Sequence, residues 1–224
     1  MKQKKKKVDN LIKVENFIDY NQTLKVENQT FKKLMFIYSI AIKELETKIE
    51  NVRDEFHIFY HYDLIEHINT RIKKPESILE KMRKKEIELT YKDMVENIND
   101  IAGIRIVCSF KKDIIAIKNL IKNFPNINIL KEKDYITYPK ESGYSGYHLI
   151  VEVPIALSKQ NFYVKVEVQI RTIAMDFWAT LEHKMKYKSE EEISKKEARE
   201  WVNCAKMINK LDNKMMLLKE LSKR

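Results

Sequence analysis

The sequence predicts an α+β domain: a mixed β-sheet with flanking helices, bracketed by long helices near both ends. Three observations carry this. Residues 26–56 and 194–221 repeat apolar side chains every three or four positions, the mark of amphipathic helices. The middle of the chain holds several short apolar runs of strand length. One strand–helix–strand unit, then adjacent strands, then helices gives a mixed sheet rather than an all-parallel one.

The first long helix bears Phe31, Leu34, Met35, Tyr38, Ala41, Ile42, Leu45, Ile49, Val52 and Phe56 on its apolar stripe. A second helix starts at Pro75, a favourable first-turn residue, and runs to about Lys85. Residues 103–110 (GIRIVCSF) read as a strand, and 112–124 as a helix stopped by Pro125. Strands are expected over 127–137, 147–153 and 162–171. A helix follows over 172–187, with Ile173, Phe177, Leu181 and Met185 as its core stripe. The last helix opens on a capping box, Ser194 with Glu197. Its seam is Trp201, Cys204, Ile208, Leu211, Met215 and Leu218. The chain thus divides into a basic extension (1–25), a domain (26–190) and a C-terminal helix (191–224). One domain of this size has limited core to cover both helical stripes. That predicts a homo-oligomer, with pairing of the two helices inside one chain as the alternative.

Composition narrows the function. Of 224 residues, 44% are apolar and 34% charged, a globular balance and not a disordered one. Three glycines and four prolines exclude collagen-like and linker-rich chains. None of the glycines stands in a phosphate-binding GxxxxGK loop. Cys108 and Cys204 are too few for a disulfide framework or a four-cysteine zinc site, and they suit a reducing cytoplasm. There are 43 basic and 33 acidic residues, a net charge of +10. This surplus suits an anionic partner such as a nucleotide or single-stranded RNA, although a lysine-rich composition alone also produces it. Lys2 and Lys4 to Lys7 are not followed by an apolar segment, so they do not read as a signal peptide. No apolar run is long enough to span a membrane.

Chemistry is expected on the polar side of the sheet. Val164, Val166, Val168 and Ile170 alternate with Lys165, Glu167, Gln169 and Arg171, so the second set shares one face. In the same way His148 and Glu152 oppose Tyr147, Leu149, Val151 and Val153, and Arg105 opposes Ile104, Ile106 and Cys108. One such strand is an ordinary solvated face. Three together can converge on a ligand. Asp100, just before its strand, and Glu167 are the acids suited to Mg²⁺, which takes one or two protein carboxylates and completes its shell with water and phosphate oxygens. Residues 71–85 (RIKKPESILEKMRKK) add Arg71, Lys73, Lys74, Ser77, Lys81, Lys84 and Lys85 as phosphate contacts, or form a plain solvated basic helix. The turn 138–148 (YPKESGYSGYH) offers Lys140 for phosphate and Tyr144 for stacking on a base, with Gly143 and Gly146 permitting close approach of a ligand. Asp176 and His183 lie two helical turns apart, too far to share one ion.

Four segments, RIKKPESILEKMRKK, NDIAGIRIVCSF, KDYITYPKESGYSGYH and VEVQIRTIAMDFWATLEHKMKYK, together resemble the synthetase domain of RelA/SpoT-type alarmone synthetases in its small, single-domain form. The resemblance spans about residues 35–215. It implies transfer of the β,γ-pyrophosphate of ATP to the 3′-hydroxyl of GDP or GTP, giving (p)ppGpp and AMP. It further implies that Arg71 and Arg105 sandwich adenine and that Ser77, Lys81 and Lys84 hold the ATP phosphates. Asp100 and Glu167 would coordinate Mg²⁺, with Glu167 also the base for the 3′-hydroxyl. Lys133 and Lys140 would contact acceptor phosphates, Tyr144 would stack on guanine, and Asp176 would read its edge. His148, Gln169 and Arg171 would complete the acceptor site. A tetramer is also implied.

The sequence departs from the family pattern in places. Lys84 stands where Arg is common, and Ser145-Gly146 replaces an Arg/Gln-Ser pair. His67 to Thr70 replace the Phe-x-Thr-Gly of the product-activated subgroup, and Glu50 falls where a Lys is expected. No His-Asp dipeptide is present, so synthesis without hydrolysis is expected. The alternatives are a non-catalytic RNA-binding module and another nucleotidyltransferase. Asp100 and Glu167 weigh against the first, since carboxylates repel a nucleic-acid backbone.

Overall fold

The computed structural model describes Leu11–Lys13, residues 22–188 and residues 194–222. The lysine-rich start lies outside them. Within them the order is β1 (Leu11–Lys13), α1 (Gln29–Tyr60), β2 (His67–Ile72), α2 (Pro75–Lys84), α3 (Tyr91–Asn97), β3 (Ala102–Cys108), α4 (Lys111–Lys122), β4 (Asn128–Asp134), β5 (Tyr147–Ala156), β6 (Asn161–Thr172), α5 (Ile173–Lys188) and α6 (Lys195–Leu221). The sheet runs β2-β3-β6-β5-β4, and β1 pairs β6. β3 is parallel to β6, while β2–β3, β5–β6 and β4–β5 are antiparallel, so the sheet is mixed as expected.

The core lies on one face of this sheet. The α1 stripe Phe31, Leu34, Ile37, Tyr38, Ala41, Ile42, Leu45 and Ile49 is buried in one cluster with Leu149, Val151, Val166, Val168 and Ile170. Ile114, Ile117 and Ile121 of α4 join the same cluster. Asn28 starts α1 by accepting the Thr30 N–H at 3.3 Å. The capping box of α6 forms as read, with Ser194 and Glu197 satisfying each other's backbone N–H groups.

α1 packs its apolar face on its own sheet. Two sequence expectations change. The α5 stripe read as core is exposed instead: Ile173 is 52%, Phe177 60%, Leu181 38% and Met185 60% accessible, and the buried residues are Met175, Trp178 and Ala179. The α6 seam splits in two. Trp201, Cys204 and Ile208 pack against the Trp178 cluster, whereas Leu211, Met215 and Leu218 are exposed. Leu24, just ahead of the expected domain start, is buried in the core and its N–H bonds Leu89 O at 2.7 Å. Among the described residues no helix is long and apolar enough to cross a membrane.

Candidate active site

Strand register assembles the site. On the face opposite the core, Arg71, Gly103, Glu167, Ile150 and Lys131 form one cross-strand row. Asn69, Arg105, Gln169, His148 and Lys133 form the next. Neighbours in a row lie about 4.8 Å apart along the hydrogen-bonding direction, so each row is one continuous surface. Gly103 leaves a gap between Arg71 and Glu167. A Cβ there would touch Arg71 Cγ and Nε, both at 3.5 Å. The gap opens into a cleft of about 270 Å³ lined by Asn69, Thr70, Arg71, Gly103, Arg105 and Gln169. Both guanidinium residues expected to flank a purine therefore border one cavity.

Asp100 closes one side of the site. Its Oδ2 meets Lys81 Nζ at 2.7 Å and Lys73 Nζ at 3.0 Å. Its Oδ1 is buried without a hydrogen-bond partner. Burial alone would raise the Asp100 carboxyl, but the two lysines outweigh it and hold the group below the usual carboxylate range. Ser77 lies half-buried one turn before Lys81 on α2. Lys84, also expected at the phosphates, forms an exposed pair with Glu80 at 2.7 Å.

Two chains of hydrogen bonds end on Glu167. Arg171 donates from Nε and Nη2 to the Tyr144 oxygen at 3.2 and 2.9 Å. The Tyr144 hydroxyl lies 2.6 Å from His148 Nε2, and His148 Nδ1 lies 3.3 Å from Glu167 Oε1. Arg171 Nη2 also donates to Gln169 Oε1 at 2.9 Å, and Gln169 Nε2 donates to Glu167 Oε2 at 2.9 Å. The assignment satisfying every group is a neutral imidazole, protonated on Nδ1, that accepts from Tyr144 and donates to Glu167. Burial holds the His148 ring below its ordinary pKa, in accord with that neutral form. Burial pushes Glu167 up, yet the bonds from His148 and Gln169 outweigh it and the net shift is downward. Glu167 is thus a carboxylate at neutral pH.

Asp176, in the first turn of α5, bridges the two halves. Its Oδ1 takes Arg171 Nη1 at 2.9 Å and Arg105 Nη1 at 3.3 Å. Arg105 Nε is buried without a partner. Burial first, then the charge of Arg171, weakens the hold of Arg105 on its proton. Arg71 acts in the same sense. Three guanidiniums crowded this way favour an anionic ligand among them.

The acceptor loop departs from its expected form. Tyr144 is buried, with Lys140 Nζ 5.0 Å from its ring centroid and the Arg171 guanidinium also at 5.0 Å. Gly143, at φ 89°, makes room for Ala205, and Gly146 for the Tyr144 hydroxyl and Arg171. Both glycines therefore accommodate protein atoms rather than a ligand. Tyr135 was missed by the sequence reading. It stands edge-on to Tyr144 and His148, with Lys140 Nζ at 4.9 Å and Lys133 Nζ at 5.9 Å from its centroid. Gly103 was missed as well, although a glycine inside a strand is itself a signal of close approach. Asn69 went unseen because β2 did.

The residues present fit Mg²⁺. Asp100 keeps one unpartnered oxygen near a second carboxylate, Glu167, and the remaining ligands would be phosphate oxygens and water. Among the described residues there is no cluster of three or more His, Cys, Asp or Glu placed to hold a metal ion.

A mixed sheet with two carboxylates set among arginines and lysines defines a nucleotide-polyphosphate site. Residues 70–192, more than half of the chain, match the family described as the region found in RelA / SpoT proteins. The chain belongs to that family. It is 41% identical to the GTP pyrophosphokinase YwaC of Bacillus subtilis, over 91% of this chain and 97% of that protein. It is 35% identical to the GTP pyrophosphokinase YjbM of the same organism, over 85% and 89%. Its fold is similar to that of small alarmone synthetase 1 of Bacillus subtilis bound to its product pppGpp, with a TM-score of 0.81 and 33% identity over 88% of this chain and 100% of that one. A structure of the same enzyme bound to AMPCPP matches at a TM-score of 0.73 and 32% identity, over 88% and 100%.

Proposed function

We propose that this chain is a GTP pyrophosphokinase. It moves the β,γ-pyrophosphate of ATP to the 3′-hydroxyl of GDP or GTP, making (p)ppGpp and releasing AMP, and it carries out synthesis only. The observation that carries this reading is Glu167, a carboxylate fed by two donor chains beside the Arg71–Arg105 cleft and the Asp100–lysine wall. Family membership and the pyrophosphokinase relatives support it.

In this reading Arg71 and Arg105 hold adenine in the cleft between them, and Ser77, Lys81 and Lys84, with Lys73 beside Lys81, neutralise the ATP phosphates. Lys133, Lys140, Tyr144, His148, Gln169, Arg171 and Asp176 form the acceptor side. The 3′-oxygen attacks the β-phosphorus, the bond from that phosphorus to the oxygen it shares with the α-phosphate breaks, and AMP leaves. Glu167 takes the proton of the 3′-hydroxyl, while the cationic wall holds the transferring group in line, where positioning and charge neutralisation do most of the work. Mg²⁺, held by Asp100 and Glu167, would supply further charge neutralisation at the phosphates.

We further place the protein in the cytoplasm, supported by its two free cysteines, and assign it a homotetramer. Support for assembly is the exposed half-seam Leu211, Met215 and Leu218 together with the exposed α5 stripe. The test of function is direct: mix the protein with Mg²⁺, ATP and GDP or GTP and separate the nucleotides by anion exchange. AMP and a guanosine carrying a 3′-diphosphate are expected in equal amounts. ADP or free pyrophosphate as the sole product would overturn the reading.

A further inference from the structure

The acceptor side rests on a helix that supplies none of its residues. α6 touches the supports of the site at two places. Near its start, Ala205 and Val202 press on Gly143, where a Cβ would sit 2.6 Å from Ala205 Cβ and 3.4 Å from Val202 Cα. Trp201, Cys204, Ala205 and Ile208 pack there on Tyr144, Trp178 and Ala179. Farther along, Asp212 is buried and its Oδ2 accepts the Thr172 hydroxyl at 2.7 Å. Thr172 in turn accepts the Met175 N–H at 3.1 Å and so caps the first turn of α5.

Position gives this bond its reach. Thr172 directly follows Arg171, and Asp176 directly follows Met175. Arg171 and Asp176 are joined to each other at 2.9 Å. A threonine hydroxyl has one proton to give. Giving it to Asp212 turns the lone pairs toward the Met175 N–H. Without Asp212 the hydroxyl is free to rotate, and the cap that sets the exit angle of α5 loosens. A well-packed apolar side chain would cost less to bury than a carboxylate. Lys111, the cation that acts on Asp212, bonds Asn209 and Asn213 of the same helix.

We propose that Asp212 is a positioning residue for the acceptor nucleotide: through Thr172 it fixes the start of α5, and with it the angle at which Arg171 and Asp176 face the cleft. The proposal rests on the pyrophosphokinase reading of that site.

The test measures KM for GTP and for ATP separately, and GTP binding by calorimetry, on variants checked by thermal melting. Asp212→Ala should raise the GTP KM and Kd about tenfold, the scale of one charge-assisted hydrogen bond, and change the ATP KM by less than about twofold. Asp212→Asn keeps an oxygen for the Thr172 hydroxyl and should restore GTP binding to within about threefold. Thr172→Val should match Asp212→Ala, and the double variant should add nothing to either single one. If Asp212→Ala does not fold, Thr172→Val with Asp212→Asn decides the matter. Unchanged GTP binding in Asp212→Ala or in Thr172→Val overturns the proposal, as do equal losses for ATP and GTP. A wild-type protein that binds GTP but releases no AMP overturns the pyrophosphokinase reading, while the GTP titrations still decide the role of Asp212.

Discussion

Replacing Glu167 by Gln probes the centre of the site with the smallest change of shape. The carboxylate receives His148 Nδ1 at 3.3 Å and Gln169 Nε2 at 2.9 Å. The new amide offers one oxygen and one NH₂ group. Its oxygen keeps the Gln169 donor, and its NH₂ then faces His148 Nδ1. His148 adapts by moving its proton to Nε2, which makes Nδ1 an acceptor. The Tyr144 oxygen already takes two N–H groups of Arg171 and now faces a third donor, so its own proton loses its partner. One charge-assisted bond is lost and one buried hydroxyl proton is left unpaired, a cost of about 2 kcal/mol. For a chain of this size that lowers Tm by about 4–8 °C and leaves the protein folded at room temperature. The loss in rate is far larger, because a general base alone contributes about 10²–10⁴-fold. The proposed metal ligand disappears with it, so kcat should fall at least about a thousandfold. AMP release at saturating ATP, GTP and Mg²⁺ is the assay. Turnover within about tenfold of the parent, in a variant with an intact melt, would refute the role given to Glu167.

Tyr144 separates stacking from hydrogen bonding. Tyr144→Phe keeps the ring and should cost a few degrees of Tm while moving the GTP KM less than about threefold, whereas Tyr144→Ala should raise that KM roughly ten- to hundredfold. Equal KM shifts in both variants would assign the effect to the hydroxyl network. Stability should fall as the pH is lowered from about 7.5 to about 5.5. The unfolded histidine takes up a proton that the buried His148 resists, so the unfolded state binds more protons in that window. His148→Gln should flatten the slope of the denaturation midpoint against pH, and an unchanged slope would contradict the assignment. Asp212 acts with the opposite sign: burial raises its carboxyl, so the folded state takes up this proton before the unfolded state as the pH falls toward the ordinary carboxylate range, and stability gains there. Charges placed at Leu211 and Met215 should give smaller, folded species by light scattering. A parent protein that is already monomeric at micromolar concentration would end the oligomer proposal.

Much of the site was legible because it lies on strands. Alternation alone put Glu167, Gln169 and Arg171 on one face, and the register of β3, β5 and β6 then brought Arg105 and His148 beside them. What stayed hidden has physical reasons. β2 is an edge strand, mostly exposed, so HINTRI shows no apolar alternation to read. α3 is short and spans only Tyr91–Asn97. The α5 stripe misled because helical periodicity reports that an apolar face exists and not what covers it. There the core took the narrower face of Met175, Trp178 and Ala179. Lys73 was visible as one charge in a cationic run, but its pairing with Asp100 depends on the turn between β2 and α2. The two chains from Arg171 to Glu167 require side-chain geometry that no spacing encodes.

The parallel pairing of β3 with β6 also sets when the site can exist. Gly103 faces Glu167 across that pair, and α4, β4 and β5 all intervene along the chain. Closing so long a loop carries an entropic cost that only the finished ladder offsets, so such contacts form late in folding. Asp100 and Glu167 sit on opposite sides of this closure. A chain that extends only as far as β5 carries Asp100 and the lysines but lacks Glu167. Recovery of the proposed AMP release during refolding should therefore track the final sheet closure and not the earlier appearance of helix.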